Sequence, residues 1–127
     1  MSYPANLKYT KDHEWILLND AQSSIGITQY AQEALGDVVF VDLPEVGSTY
    51  KAGEVFGTVE SVKTVSDLFS PIDIEVIEVN EDLKDHPEWV NEDPYGKSWM
   101  IRVKPLSTGN DLMSSLEYEK LIASESH

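Results

Sequence analysis

Short alternations of hydrophobic and polar residues run along most of the chain and predict β-strands. We expect strands over residues 13–18, 24–27, 37–43, 72–79 and 99–103. Turn-forming residues separate these segments, beginning with Asn19 and Asp20. Strands of this length at such regular spacing predict a mainly β fold, either a sandwich or a flattened barrel.

Helix signals interrupt the strand pattern at two places. Thr28 is a suitable N-cap for a helix over residues 29–35, and Gly36 provides its C-terminal stop. A capped helical turn is expected over residues 80–84, whereas residues 87–96 contain Pro, Asn and Gly and are predicted to be irregular. These helices are therefore short additions to a β-rich body.

A longer helix is predicted near the C-terminus. Ser114 and Glu117 have the spacing of a capping box, in which each side chain bonds the backbone amide of the other residue. We expect this helix to run to about residue 123. Its apolar face is formed by Tyr118, Leu121 and Ile122. That face is predicted to pack on the β body, within a single domain that spans residues 1–127.

The most informative local pattern is a near-palindrome over residues 60–67, centred on the bond between Lys63 and Thr64. It predicts a β-hairpin with a two-residue turn and with Lys63 at its tip. The predicted facing pairs are Val62 with Val65, Ser61 with Ser66, and Glu60 with Asp67. The turn contains neither Gly nor Asn, and two facing carboxylates cost some stability. Both features indicate that another molecule recognises this tip.

Composition limits the classes of protein that this chain can belong to. Its 127 residues, 41% of them hydrophobic, can bury a hydrophobic core that needs no stabilising disulfides or metal ions. The absence of cysteine excludes disulfides, thiol nucleophiles and cysteine-bound metals. We see no secretory signal and no apolar stretch of the roughly 20 residues that a membrane span needs. The cytoplasm is therefore the predicted location.

The net charge of −14 is the second strong feature of the composition. Acidic residues lie along the whole length, from Asp12 to Glu125, rather than in a tail. Such a surface disfavours nucleic acid and anionic membranes as partners. It suits transient docking onto basic patches of larger proteins, although solubility alone explains the charge equally well.

The chain offers little for catalysis. No metal-ligand spacing relates its three histidines, which are His13, His86 and His127. We interpret them as surface or structural residues. Ser61 and Lys63 share a strand face, but a hairpin tip supplies neither an oxyanion hole nor a cleft that excludes water. Gly53 and Gly57 lack the spacing of a phosphate loop and fit tight-turn and close-packing positions.

Lys63 therefore remains as a candidate site of covalent attachment. A lysine amine with an ordinary pKa of about 10.4 is a weak nucleophile at neutral pH, so a separate enzyme must acylate it. That enzyme must recognise the hairpin and its shoulders, Glu60 and Asp67. A flexible arm on a stiff base could reach several active sites at a raised effective concentration. The chain is thus predicted to be a carrier rather than an enzyme.

Residues 57–67 also form a distinctive motif, in which the tetrapeptide ending at Lys63 is followed by Ser66 and Asp67. This segment closely resembles the lipoyl-attachment segment of glycine cleavage system H proteins. Further similarity to that family covers nearly the whole chain, at residues 9–15, 26–32, 35–44 and 94–96, at Trp99, and at Glu117 and Tyr118.

The resemblance implies a lipoyl-domain-like β-sandwich, or barrel-sandwich hybrid, with short helices and a C-terminal helix. It implies lipoic acid in amide linkage on Lys63. The arm would take an aminomethyl group from glycine decarboxylase (P protein), pass it to aminomethyltransferase (T protein) and be reoxidised by dihydrolipoamide dehydrogenase (L protein). A lipoate-attaching enzyme would be a further partner.

The resemblance also implies that the arm folds against the segment around Glu14. A loaded arm ends in an amine, whose charge carboxylates match. Our candidates for holding it are Glu14, Asp67 and Asp12. Glu60 is assigned to recognition by the lipoate-attaching enzyme.

The chain departs from the family pattern at three places: at Thr64, at the pair Asp73 and Ile74, and at Ser98. If the glycine that the family usually has at position 74 adopts a positive φ, Ile74 would be strained and the local turn would differ. Two other functions stay open on the residues alone. One is an octanoyl or lipoyl relay in lipoate metabolism, and the other is an unmodified binding domain.

Overall fold

The computed structural model describes residues 3–18, 22–107 and 112–125. The strands are β1 (Lys8–Tyr9), β2 (Glu14–Leu17), β3 (Ser23–Ile27), β4 (Val38–Asp42), β5 (Thr49–Tyr50), β6 (Val55–Ser61), β7 (Val65–Phe69), β8 (Ile74–Val79) and β9 (Ile101–Pro105). The helices are α1 (Gln29–Leu35), α2 (Asp82–Asp85), α3 (Trp89–Glu92) and α4 (Ser115–Glu125).

These strands form two antiparallel sheets. The larger sheet has the order β1-β2-β3-β9-β8-β5, and the smaller has the order β4-β6-β7. Buried side chains from both sheets and from α1 share one hydrophobic core, which includes Ile25, Leu35, Val41, Val59 and Val103. The predicted β-sandwich with short helices and a C-terminal helix is confirmed.

The local signals around α1 also predict its bounds. The backbone N–H of Ala31 donates to Thr28 Oγ1 at 3.2 Å, as expected of an N-cap. Gly36 ends the helix with a φ of 80° and a ψ of −155°, a conformation that is essentially restricted to glycine. Its N–H donates to the carbonyl of Gln32 at 3.0 Å.

Other predicted elements are present with bounds shifted by at most two residues. Strands β1 and β5 are additional, and each contains only two residues. Helix α3 lies in the segment predicted to be irregular. The predicted turn at Asn19 and Asp20 lies outside the described residues, as does His127.

Strands β6 and β7 form the predicted hairpin, but the predicted register is wrong. Glu60 lies opposite Val65, and Asp67 lies opposite Thr58. Glu60 and Asp67 are therefore diagonal neighbours on one face rather than a facing pair. The repulsion expected of two directly opposed carboxylates does not arise.

The hydroxyl of Ser61 explains this difference. Ser61 Oγ accepts hydrogen bonds from the backbone N–H groups of Lys63 and Thr64, both at 3.2 Å. The backbone N–H of Ser61 donates to the carbonyl of Thr64 at 2.8 Å. Ser61 and Thr64 therefore close the turn, so that Val62 and Lys63 occupy it. Lys63 remains at the tip, but the turn is centred one residue earlier than the palindrome.

Helix α4 begins at the predicted capping box. The N–H of Ser114 donates to Glu117 Oε1 at 2.9 Å, and the N–H of Glu117 donates to Ser114 Oγ at 3.2 Å. Tyr118 is fully buried and stacks on Tyr9, with ring centroids 4.7 Å apart. Leu121 and Ile122 pack against the same cluster, as predicted. No helix in the described ranges is long and apolar enough to cross a membrane.

The departures from the family pattern fit the fold without strain. Ile74 is a fully buried residue of β8, opposite Tyr50 and Pro105. Among the described non-glycine residues only His13 has a positive φ, so the strain considered at Ile74 is absent. Ser98 is buried, and its hydroxyl donates to the carbonyl of Asp93 at 2.9 Å.

Candidate functional site

Lys63 is an exposed residue at a firmly held hairpin tip. The backbone N–H of Val62 donates to the carbonyl of Asp37 at 3.0 Å, which ties the tip to the residue that precedes β4. Val38, the first residue of β4, pairs with Ser61. Strand β4 and the residue before it thus hold the backbone that carries the Lys63 side chain.

The side chain of Lys63 passes close to Gly36 at the end of α1. A Cβ built on Gly36 would lie 3.2 Å from Lys63 Cε and 3.8 Å from Lys63 Nζ. Asn91 holds this segment, because its Nδ2 donates to the carbonyl of Gly36 at 2.8 Å and its Oδ1 accepts from the N–H of Val38 at 2.9 Å. Glycine at this position leaves room for the lysine beside the helix end.

A cavity of about 280 Å³ lies beside the tip, where Thr64 and Val65 belong to its lining. One wall is α1, a second is β7, and a third is the turn that leads into β2. Its apolar lining includes Ile27, Ala31, Leu35, Val59 and Leu68. The cavity therefore offers a largely apolar path that begins next to Lys63.

Glu14 is the most buried acidic group of this cavity, with a relative exposure of 1%. Glu14 Oε1 accepts from the hydroxyl of Thr10 at 2.9 Å, and Glu14 Oε2 accepts from the backbone N–H of Phe69 at 3.0 Å. Burial raises the pKa of Glu14 to about 8; these two hydrogen bonds oppose the rise, and the charge of Asp12 adds to it. The carboxyl is thus held by contacts from both β1–β2 and β7.

The other predicted acidic residues divide into two groups. Asp12 and Asp67 line the same cavity as Glu14, although they lie far apart in the sequence. Glu60 is not part of that lining. It lies on the exposed face of the smaller sheet, between Phe40 on β4 and Val65 on β7. The structure therefore brings the three predicted arm-docking residues together and leaves Glu60 outside the cavity.

His13 also lines the cavity, a position that the sequence interpretation missed. The N–H of Thr10 donates to the carbonyl of Glu14 at 3.0 Å, and the N–H of His13 donates to the carbonyl of Thr10 at 3.1 Å. These bonds define a three-residue hairpin loop, which commonly ends in a residue with positive φ. His13 has a φ of 69°. Strand β1 contains only two residues and could not be predicted from the sequence. The hairpin loop between β1 and β2, which places His13 beside the cavity, could therefore not be predicted either.

The cavity offers acidic side chains for binding a ligand, namely Asp12, Glu14 and Asp67. Within the described residues, no group of three or more His, Asp and Glu could hold a metal ion. Apolar walls with carboxyls at one side suit a long apolar chain that ends in a cation.

Comparisons with known proteins agree on one family. The family model described as Glycine cleavage H-protein matches residues 7–125. A glycine cleavage system H protein of Geobacillus kaustophilus is 56% identical over 124 residues, covering 96% of this chain and 98% of the relative. One of Bacillus subtilis is 54% identical over 123 residues, covering 95% and 97%. The crystal structure of a glycine cleavage system H protein from Mycobacterium marinum superposes with a TM-score of 0.91 at 45% identity, covering 95% of this chain and 99% of that one.

Proposed function

The chain belongs to the glycine cleavage H-protein family, and on that premise we infer that it is the lipoyl carrier of the glycine cleavage system. The observation that carries this inference is the exposed Lys63 at the hairpin tip, next to a cavity lined by Asp12, Glu14 and Asp67. A carrier needs both parts, because the arm must reach outward to enzymes and must shelter its cargo between them.

We propose Lys63 as the lipoate attachment site, over a domain that spans residues 1–127. The fit to a covalent arm is supported by the fixed backbone at Ser61 and Val62 and by the space above Gly36. A side chain at position 36 would crowd the lysine stem before it reached the cavity. When bound, lipoate supplies a dithiolane that accepts the aminomethyl group and is reoxidised after that group has left.

The residues of the cavity are proposed to hold the free end of the arm. Ile27, Leu35 and Leu68 give it an apolar lining. Glu14 offers an acceptor for an ammonium group, since a cation near a buried carboxyl favours the ionised form. Asp67 lies on β7 closer to the tip, and Asp12 lies on the turn beside Glu14. Together they would bind the cargo and exclude water from it.

The proposed partners are glycine decarboxylase, aminomethyltransferase, dihydrolipoamide dehydrogenase and a lipoate-attaching enzyme. Glu60 is proposed to serve the attaching enzyme, because it is exposed near Lys63 and outside the cavity. The cytoplasm remains a prediction from the sequence. An octanoyl or lipoyl relay is not favoured, since the relatives reported above share the glycine cleavage name.

Intact-mass measurement of protein from its own cells tests the attachment. We expect a mass increase of one lipoyl group, located on Lys63 by peptide mapping. Reconstitution with glycine decarboxylase then tests the activity, which should appear as glycine-dependent exchange of carbon dioxide. An unmodified Lys63 in all of the protein would overturn the carrier function. Lipoylated protein that supports no glycine-dependent exchange of carbon dioxide would instead favour the octanoyl or lipoyl relay.

A further inference from the structure

One hydroxyl group connects two walls of the cavity. Tyr118 Oη lies 2.7 Å from Thr28 Oγ1 and 2.8 Å from His13 Nδ1. Thr28 is the N-cap of α1, which forms one wall. Another wall is the turn before β2. His13 belongs to this turn, together with Asp12 and Glu14. A residue of the C-terminal helix thereby reaches a site to which its own side chain contributes no lining.

The second observation is the backbone conformation of His13. Its φ of 69° lies in the left-handed region, which the last residue of a three-residue hairpin loop commonly adopts and which glycine adopts more easily than a residue with a side chain. The carbonyl of His13 accepts from the N–H of Thr28 at 3.0 Å, and its ring lies 4.7 Å from the ring of Tyr30. A side-chain hydrogen bond to Tyr118 joins this residue to α4.

The conformation of His13 contributes to the placement of its neighbours, beside the pairing of Glu14 with Ile27. Glu14 follows it directly, and the Glu14 carboxyl bonds the hydroxyl of Thr10 and the backbone N–H of Phe69. Rotation of His13 into a more common conformation would turn Asp12 relative to Glu14, because φ and ψ of a residue set the relative orientation of the chain on its two sides. The conformation of one residue is thus linked to the placement of Asp12 and Glu14 in the cavity lining.

We propose that the hydroxyl of Tyr118 is a positioning group for the arm cavity: it supports the left-handed conformation of His13 and thereby keeps Glu14 in its place in the cavity lining. The consequence for the arm rests on the proposed carrier function. Tyr118 itself binds neither the arm nor its cargo.

Tyr118→Phe tests the proposal, and Tyr9→Phe is the matched control. The two rings stack on each other in one buried cluster, and each variant removes a single hydroxyl. The hydroxyl of Tyr9 donates to the carbonyl of Pro4 at 2.6 Å and so bonds none of the cavity residues. Phe keeps the aromatic packing in both variants, so a general loss of stability would affect both alike.

Two measurements on the unlipoylated protein give a direct readout. The intraresidue amide-to-Hα NOE of His13 reports its backbone conformation, and ¹³C NMR of the Glu14 carboxyl reports its titration. We expect Tyr118→Phe to weaken the NOE and to lower the pKa of Glu14 by about one unit or more, because Glu14 then loses burial, whereas Tyr9→Phe should match wild type. An unchanged NOE and an unchanged titration in Tyr118→Phe would overturn the proposal.

A rescue experiment tests the route through His13. Glycine adopts a φ of 69° without a steric cost, so His13→Gly in the Tyr118→Phe background should restore the titration of Glu14. Failure of that rescue would contradict the route through the backbone.

In lipoylated protein, we expect Tyr118→Phe to retain normal attachment at Lys63 but to lose its glycine-derived cargo to water several-fold faster than wild type. An equal rate of loss would overturn the proposed role in the arm cavity. Wild-type protein that accepts no cargo would refute the carrier function itself, and the measurements on unlipoylated protein would still decide the role of Tyr118.

Discussion

At the residue scale, Glu14 and Asp67 offer the same chemical group to the cavity in two environments. Glu14 is buried, and that burial raises its pKa to about 8, whereas Asp67 is an exposed residue on β7. A buried acid of this kind is mainly neutral at neutral pH while no cation is near. An ammonium group that enters the cavity would favour the ionised form of Glu14. The negative charge of Glu14 would then match the positive charge of the cargo.

Glu14→Gln is expected to change the pH dependence of folding stability. The folded-state pKa of about 8 lies above the ordinary value of 4.5, so the folded protein holds this proton more tightly than the unfolded chain. The resulting stabilisation is fully present below about pH 4.5 and is lost as the pH rises to about 8, at up to about 1.4 kcal/mol per pH unit. Wild type should therefore lose stability relative to Glu14→Gln across this window.

Urea denaturation at a series of pH values measures this difference. Asp67→Asn serves as the control, because it removes a carboxyl from the exposed side of the same cavity. Free energies of unfolding for wild type and Glu14→Gln that run parallel between pH 4.5 and 8 would show that Glu14 is ionised in the folded protein.

Lys63→Arg is expected to abolish attachment and leave folding intact. Arginine keeps the positive charge but offers no amine that an attaching enzyme could acylate. An exposed change of this kind usually alters the free energy of unfolding by no more than about 0.5 kcal/mol. Intact mass and thermal unfolding of the same preparation check both parts. A marked drop in melting temperature would identify Lys63 as a structural residue.

At the scale of elements, one side chain supports the hairpin turn beside its backbone hydrogen bonds. Ser61 is 5% exposed, and its hydroxyl accepts hydrogen bonds from the backbone N–H groups of Lys63 and Thr64, which precede β7. Ser61→Ala is expected to cost about 1 kcal/mol of stability, a typical value for a lost hydrogen bond. It should also accelerate amide hydrogen exchange at Lys63 and Thr64.

Ser66→Ala is the control for that prediction. Ser66 lies on β7, and no side-chain hydrogen bond to it is present in the described part of the structure. Its removal should change neither the stability nor the exchange at the tip appreciably. Equal exchange rates at Thr64 in wild type and Ser61→Ala would contradict the role assigned to the hydroxyl.

The elements that could be predicted are those with local signals. Thr28 and Gly36 bound α1, and the pair Ser114 and Glu117 begins α4, because caps act within a few residues. The hairpin register could not be predicted from the palindrome, since hydrogen bonds to Ser61 Oγ and the pairing with β4 decide it. Strands of two residues, such as β1 and β5, carry too little pattern to be visible.

At the scale of the whole molecule, the cavity is built from segments that meet only in the folded chain. Asp12 and Glu14 come from near the N-terminus and Asp67 from the middle, and Tyr118 on the C-terminal helix bonds His13, which lies between Asp12 and Glu14. Periodicity and spacing identified Lys63 as an exposed lysine but could not join these segments. The family resemblance supplied Glu14, Asp67 and Asp12 as candidates, and the fold supplies their convergence.

The net charge of −14 leads to a prediction about how the protein encounters its proposed partner enzymes. Long-range attraction to basic surfaces is screened as the Debye length falls from about 30 Å at 0.01 M salt to about 8 Å at 0.15 M. We therefore expect kcat/KM of glycine decarboxylase for the lipoylated protein to fall severalfold over this range, while kcat changes little. Uncharged free lipoamide, used with the same enzyme, should show almost no salt dependence. If kcat/KM for the protein is equally insensitive to salt, its acidic surface contributes to solubility and not to docking.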